Sequence, residues 1–120
     1  MNHPASTVAY YNQVSPIGKP ILDLLCIEYR ESCIATICSL EYYSGWNFCA
    51  LTGIKYLWRM GQKTKDYRDD IRKSIEYFEW AITDEFNELP SSKILSLNLA
   101  ISALNTLLDK QNKVHFNDTI

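Results

Sequence analysis

The chain is 120 residues long, and twelve Lys or Arg against fourteen Asp or Glu give it a formal net charge of −2. That length suits one domain, and 47% hydrophobic residues with only four Gly and four Pro exclude disordered, low-complexity or collagen-like character. A pI near 5.6 argues against a wholly basic nucleic-acid binder.

Residues 1–20 read as irregular, because Pro4, Pro16, Gly18 and Pro20 punctuate them. Within them Ser6 to Val14 is the only β-leaning stretch, short enough to pair weakly at an edge. After Pro20 the pattern turns helical. Ile21, Leu24, Leu25, Ile27, Ile34, Ile37 and Leu40 recur mostly three or four apart. Pro20 fits the start of that helix. The apolar stripe is interrupted at Tyr29–Glu31, a candidate break, and the helix should end by Ser44–Gly45.

The second predicted helix runs from Trp46 to Met60. Ala50, Leu51, Ile54, Leu57 and Trp58 make one continuous apolar face, and Lys55 and Arg59, four apart, share another. Gly61 stops the helix, and Gln62–Lys65 connects it to the next. A third helix is predicted over Asp66–Glu88, with Tyr67, Ile71, Ile75, Phe78, Ile82 and Phe86 as its stripe. Asp66, Asp69 and Asp70 fall in its first turns, where the helix dipole favours negative charge. Pro90 breaks the chain, Ser91 or Ser92 supplies an N-cap, and a last helix runs from Lys93 to about Asn112. Its Ile94, Leu97, Ile101, Leu104 and Leu108 form a heptad-like seam, and its other positions include the uncharged Ser96, Asn98, Ser102 and Asn105. Such a seam serves equally as a homo-oligomer interface through 93–112 or as packing on its own domain. The tail, 113–120, is expected to fray. The expectation is therefore all-α: a compact bundle of four to five helices over 21–112, preceded by an irregular N-terminal segment.

No run approaches the roughly 18 apolar residues of a membrane span. Met1–Ala9 lacks the basic start and apolar stretch of a signal peptide. A soluble, cytosolic chain with no membrane partner is expected. Cys26, Cys33, Cys38 and Cys49 contain no Cys-x-x-Cys pair, and only His3 and His115 could add imidazole, so reduced and mostly buried thiols are expected and no metal site.

The net charge conceals a split. Lys55, Arg59, Lys63, Lys65, Arg68, Arg72 and Lys73, with Asp66, Asp69 and Asp70 among them, make residues 55–73 +4; five basic and eleven acidic residues elsewhere sum to −6. Lys55, Arg59 and Lys63 are spaced as a ladder along one side of the second helix and its turn. Gly61 lets backbone approach an anion closely, and the following helix start offers amide N–H groups. Arg grips phosphate bidentately and Lys neutralises it as a point charge. Against this stands the plain alternative of solvated faces with intrahelical pairs, for which Asp69 with Arg72 or Lys73 has the right spacing. Trp58 belongs to the apolar face and reads as core, whereas Tyr56 is open to stacking on a base.

Phe48-Cys49-Ala50-Leu51-Thr52-Gly53-Ile54-Lys55-Tyr56-Leu57-Trp58-Arg59-Met60-Gly61-Gln62-Lys63, together with the segment from Asp69-Asp70-Ile71-Arg72-Lys73 to Tyr77-Phe78-Glu79-Trp80-Ala81-Ile82, resembles the small phage family catalogued as domain of unknown function 3310. Asn2-His3-Pro4 resembles the start of its members. Leu51-Thr52 stands where the family has Gly-Asn. Some members are described as phage nucleotide kinases. The resemblance implies a phage-encoded protein of the infected bacterial cytoplasm, with Lys55, Arg59 and Lys63 at the family's basic positions. It suggests nucleotide kinase-like activity, with Mg²⁺ as cofactor if the protein is a kinase.

The sequence has no G-x-x-x-x-G-K-[ST], so a kinase here would rely on Lys55, Arg59, Lys63 and Arg72, with Asp69 or Asp70 holding the metal. Glu28 with Glu31, and Glu76 with Glu79, have the spacing of a helical pyrophosphatase's metal carboxylates, or simply of exposed helical Glu. The leading expectation is a nucleotide or phosphate-bearing ligand bound by Lys55, Tyr56, Arg59, Lys63, Arg72 and Lys73. The alternative is a non-enzymatic anti-defence protein that sequesters a nucleotide signal or inhibits a host protein.

Overall fold

The computed structural model describes residues 14–27, 45–63 and 65–118. These contain four helices and no β-strand: α1 (Lys19–Leu24), α2 (Phe48–Trp58), α3 (Arg68–Ile82) and α4 (Ser91–Asp118). The all-α expectation is met. α2 packs most extensively on α3, α3 on α4, α4 on α1, and α1 on α2, so the helix contacts close into a ring. Inside the ring lie Leu22, Ile54, Leu57, Trp58, Ile71, Phe78, Leu97 and Leu104, all fully buried. The predicted apolar face of α2 is buried throughout, and Trp58 is core. Among the described residues no helix is long and apolar enough to cross a membrane.

α1 begins with Pro20 in its first turn, as expected. It ends much earlier than the stripe implied. Cys26 takes the left-handed conformation (φ 56°), and the Ile27 N–H reaches back to the Leu22 carbonyl, closing the helix in the manner usually reserved for Gly. The rest of that predicted helix lies outside the described residues, as do Cys33, Cys38, Glu28, Glu31, His3 and all of Ser6–Val14 but Val14. Cys26 is exposed and Cys49 half-buried, so Cys26 departs from the expected buried thiols.

α3 stops at Ile82, six residues short of the predicted Glu88. The Asp84 carboxylate accepts the N–H groups of Phe86 and Asn87, at 3.0 Å each, and so builds a turn where the helix would have continued. Phe86, expected on the buried stripe, is 97% exposed. α4 departs in the opposite direction. It starts at Ser91, with the Pro90 carbonyl accepting from Lys93 and Ile94, so Ser91 and Ser92 lie in the first turn instead of preceding it. It also continues through the segment expected to fray, to Asp118, with no Gly or Pro to stop it. Leu97, Ala100 and Leu104 are fully buried, and Ile94, Ile101 and Leu108 pack against the core. The seam is therefore used within the chain's own domain.

Candidate functional site

The basic face is assembled by the α2–α3 hairpin, and two features set its geometry. Gly53 on α2 sits against the Phe78 ring of α3, so the two backbones approach closely. Gly61 (φ 76°) then turns the chain out of α2, as its position after the apolar stripe predicted. The turn is clamped from behind by Ser15. Its N–H donates to the Trp58 carbonyl at 2.8 Å, its hydroxyl donates to the Met60 carbonyl, and that hydroxyl accepts from the Ile17 and Gly18 amides. Two carbonyls at the end of α2 thereby gain donors, the Trp58 carbonyl accepting also from Gln62 Nε2 at 3.4 Å.

At the opposite end, Asn47 caps α2. Its side-chain oxygen accepts from the Ala50 N–H at 3.0 Å, and its Nδ2 donates to the Ala81 and Asn87 carbonyls, at 3.0 and 3.1 Å. One buried amide thus pins the start of α2 to the end of α3.

On this frame the Arg59 guanidinium lies 4.5 Å from the centre of the Tyr56 ring and 4.0 Å from Asp70 Oδ1. Tyr56 stacks on Tyr77 with ring centres 5.9 Å apart, and Tyr77 meets the edge of Trp80 at 5.2 Å. An unbroken file runs from Asp70 through Arg59, Tyr56 and Tyr77 to Trp80, which is 49% exposed. Tyr56 is thus already engaged by a cation and a ring. Trp80 is the more open aromatic surface.

Asp70 is the centre of the electrostatics. Its side chain is only 14% exposed, and burial pushes its carboxyl above the usual aspartate value. Arg59, a backbone hydrogen bond from Gly61 and the charge of Lys63 all act the other way; Asp69 adds to the upward push. Asp70 Oδ2 is buried without a hydrogen-bond partner among the described residues. Of the groups singled out in the sequence as an anion seat, Arg59 and the Gly61 amide meet at an anion that is this chain's own carboxylate, and Lys63 adds its charge to the same field.

The other predicted site residues divide. Lys55 lies half-buried on α2, and Lys63 is exposed beyond Gly61. Arg72 pairs with Asp69 at 3.1 Å, one of the two intrahelical pairs foreseen, while Lys73 reaches Glu76 at 3.8 Å. Arg68 is held by Asp66 through Nε and Nη2. The structure brings Tyr56 and Arg59 together beside Asp70, and Arg72 and Lys73 are engaged along α3 itself. Among the described residues no three His, Cys, Asp or Glu side chains group to hold a metal ion. Asp69 and Asp70, the carboxylates considered for Mg²⁺, face Arg72 and Arg59 respectively.

Sequence reasoning missed the roles of Ser15, Asn47, Tyr77 and Trp80. Asn47 carried a usable signal, an Asn immediately before an apolar helical run. Tyr77 and Trp80 were readable as an i, i+3 aromatic pair, but nothing local shows that Tyr56 stacks on them across the hairpin. Compared with protein-family models, curated proteins and solved structures, the chain matches none.

Proposed function

We propose that this chain is a binding protein for a phosphate-bearing small molecule, a nucleotide or nucleotide-derived signal, which it takes on the α2–α3 face. The observation that supports the reading is the approach of Arg59 and the Gly61 amide to one carboxylate, with the charge of Lys63 acting on it. A surface that already holds one anion has the donors and charge for another. Trp80, exposed at the far end of the Tyr56–Tyr77 file, offers a ring for a base to stack on. In this reading Arg59 and Lys63 bind the phosphate, Lys55 adds to the field, Tyr56 holds Arg59 in place, and Arg72 and Lys73 contribute charge at the rim.

In keeping with the resemblance to phage nucleotide kinase-like proteins, such a molecule would work in the infected bacterial cytoplasm, either phosphorylating a nucleotide with Mg²⁺ or withholding one from a host defence. Self-association through 93–112 would use Leu95 and Leu99, exposed on the side of α4 opposite the buried Leu97 and Leu104. Phe48, Trp80 and Phe86 favour a second reading, docking of a host protein, because three large exposed aromatics exceed what a plain helical surface needs.

Calorimetric titration with AMP, ADP and ATP tests the first reading. Wild type is expected to bind, and Arg59→Ala to weaken binding about tenfold or more, as loss of a charge-assisted phosphate contact does. New phosphorylated product in the presence of ATP and Mg²⁺ identifies a kinase; unchanged nucleotide identifies sequestration. No heat from any nucleotide, with a host protein that co-purifies with wild type and is lost from Trp80→Ala, replaces the first reading with the second.

A further inference from the structure

We propose that Asp70 is a resident competitor for the phosphate site, which a ligand enters by taking over Arg59 and the Gly61 amide from the Asp70 carboxylate, and that the ligand suited to this exchange is a terminal phosphate. The inference rests on the phosphate-binding reading above and adds to it a regulator and a ligand class.

Asp70 is a poor occupant of its own site. Its closest approach to Arg59 is 4.0 Å, well outside the 2.7–2.9 Å of a good charge-assisted bond. One of its oxygens is buried with no hydrogen-bond partner among the described residues. Burial disfavours its charge, and the neighbouring Asp69 does too. An anion held this loosely yields to one that fits better. The cationic side, by contrast, is firmly placed. Tyr56 lies beside Arg59, Tyr77 supports Tyr56, and Ser15 fixes the turn that carries Gly61.

The identity of the better anion follows from charge. A terminal phosphate carries about 1.5 to 2 negative charges at pH 7 and three strong acceptor oxygens. A phosphodiester carries one charge, no more than the carboxylate it must replace. The diester therefore gains little from the exchange, whereas the monoester gains an additional charge against Arg59 and Lys63. Asp70 thus sets a cost that every incoming anion must meet, and the second charge of a terminal phosphate beside Arg59 is what meets it most readily.

The test compares AMP with cyclic AMP, which share a base and differ at the phosphate, by calorimetry on the full chain. Wild type is expected to bind AMP at least tenfold more tightly than cyclic AMP. Asp70→Asn, the same shape without the charge, is expected to tighten both severalfold, AMP at least as much as cyclic AMP, because every ligand is relieved of the same competitor; Asp70→Ala provides a second variant free of any new amide hydrogen bond. Circular dichroism confirms that each variant is folded. If wild type binds AMP, Arg59→Ala loses it, and both Asp70 variants leave the affinities unchanged, the competitor role is overturned and the phosphate site stands. If no form binds either ligand, or Arg59→Ala binds AMP like wild type, the phosphate site falls and the competitor role falls with it.

Discussion

Asn47 serves three partners with one side chain, and its replacement is the sharpest residue-level test of the frame. Asn47→Ala removes an N-cap and leaves the Ala81 and Asn87 carbonyls without their donor. A lost cap costs about 1 kcal/mol and orphaned buried carbonyls a similar amount, so urea unfolding is expected to show about 2 kcal/mol of destabilisation. Asn47→Asp keeps the cap acceptor but turns charge toward two carbonyls, so it is expected to rescue only part of that loss. This residue was half-legible. Its capping role is written in the sequence as Asn before an apolar run, but its two donations span 34 and 40 positions, and no local pattern reports such a partner. Asp70 was half-legible for the same reason. In isolation it is a first-turn acid satisfying a helix dipole; only the folding back of α3 on α2 sets it beside Arg59.

Among the elements, existence was easier to read than extent. The α2 stripe, with apolar residues at 50, 51, 54, 57 and 58, identified every buried residue of that helix but Gly53. The ends of α1 and α3 were decided by turns that periodicity does not register: a left-handed Cys26 in one, and the Asp84 side chain in the other. Side-chain hydrogen bonds from Asp compete directly with the next helical turn, and at Asp84 they prevail over an apolar residue in register. The element pair that matters most for the site is α2 on α3, held close by Gly53. A Cβ there would stand 2.6 Å from Phe78 Cδ1 and nearer still to Cε1. Phe78 is fully buried and has no room to retreat. Gly53→Ala is therefore expected to destabilise the fold by about 1–3 kcal/mol through overpacking. It should also move the Tyr56–Tyr77 stack, visible as a change in tyrosine ring chemical shifts.

For the whole molecule, net charge is a weaker guide than the state of one carboxylate. The folded chain raises the Asp70 pKa, chiefly by burial, while Arg59, Lys63 and the Gly61 amide oppose that rise and Asp69 reinforces it. The folded state therefore binds this proton more tightly than the unfolded state does. It follows that the Asp70 contribution to stability is most favourable below the ordinary aspartate range and is lost as pH rises through the folded-state value. Wild type and Asp70→Asn, unfolded in urea across the acid-to-neutral range, are expected to diverge in favour of the variant as pH increases. Equal midpoints at every pH would contradict this. The ring of helix contacts bears on how the molecule comes to exist. α1 and α3 both rest on α4, which follows them in the chain, so the parts of their apolar faces that α4 covers stay bare until it has been synthesised. Folding completes only once α4 has emerged. A premature stop before Leu104 would thus leave an exposed core for chaperones and proteases, not a shorter working protein.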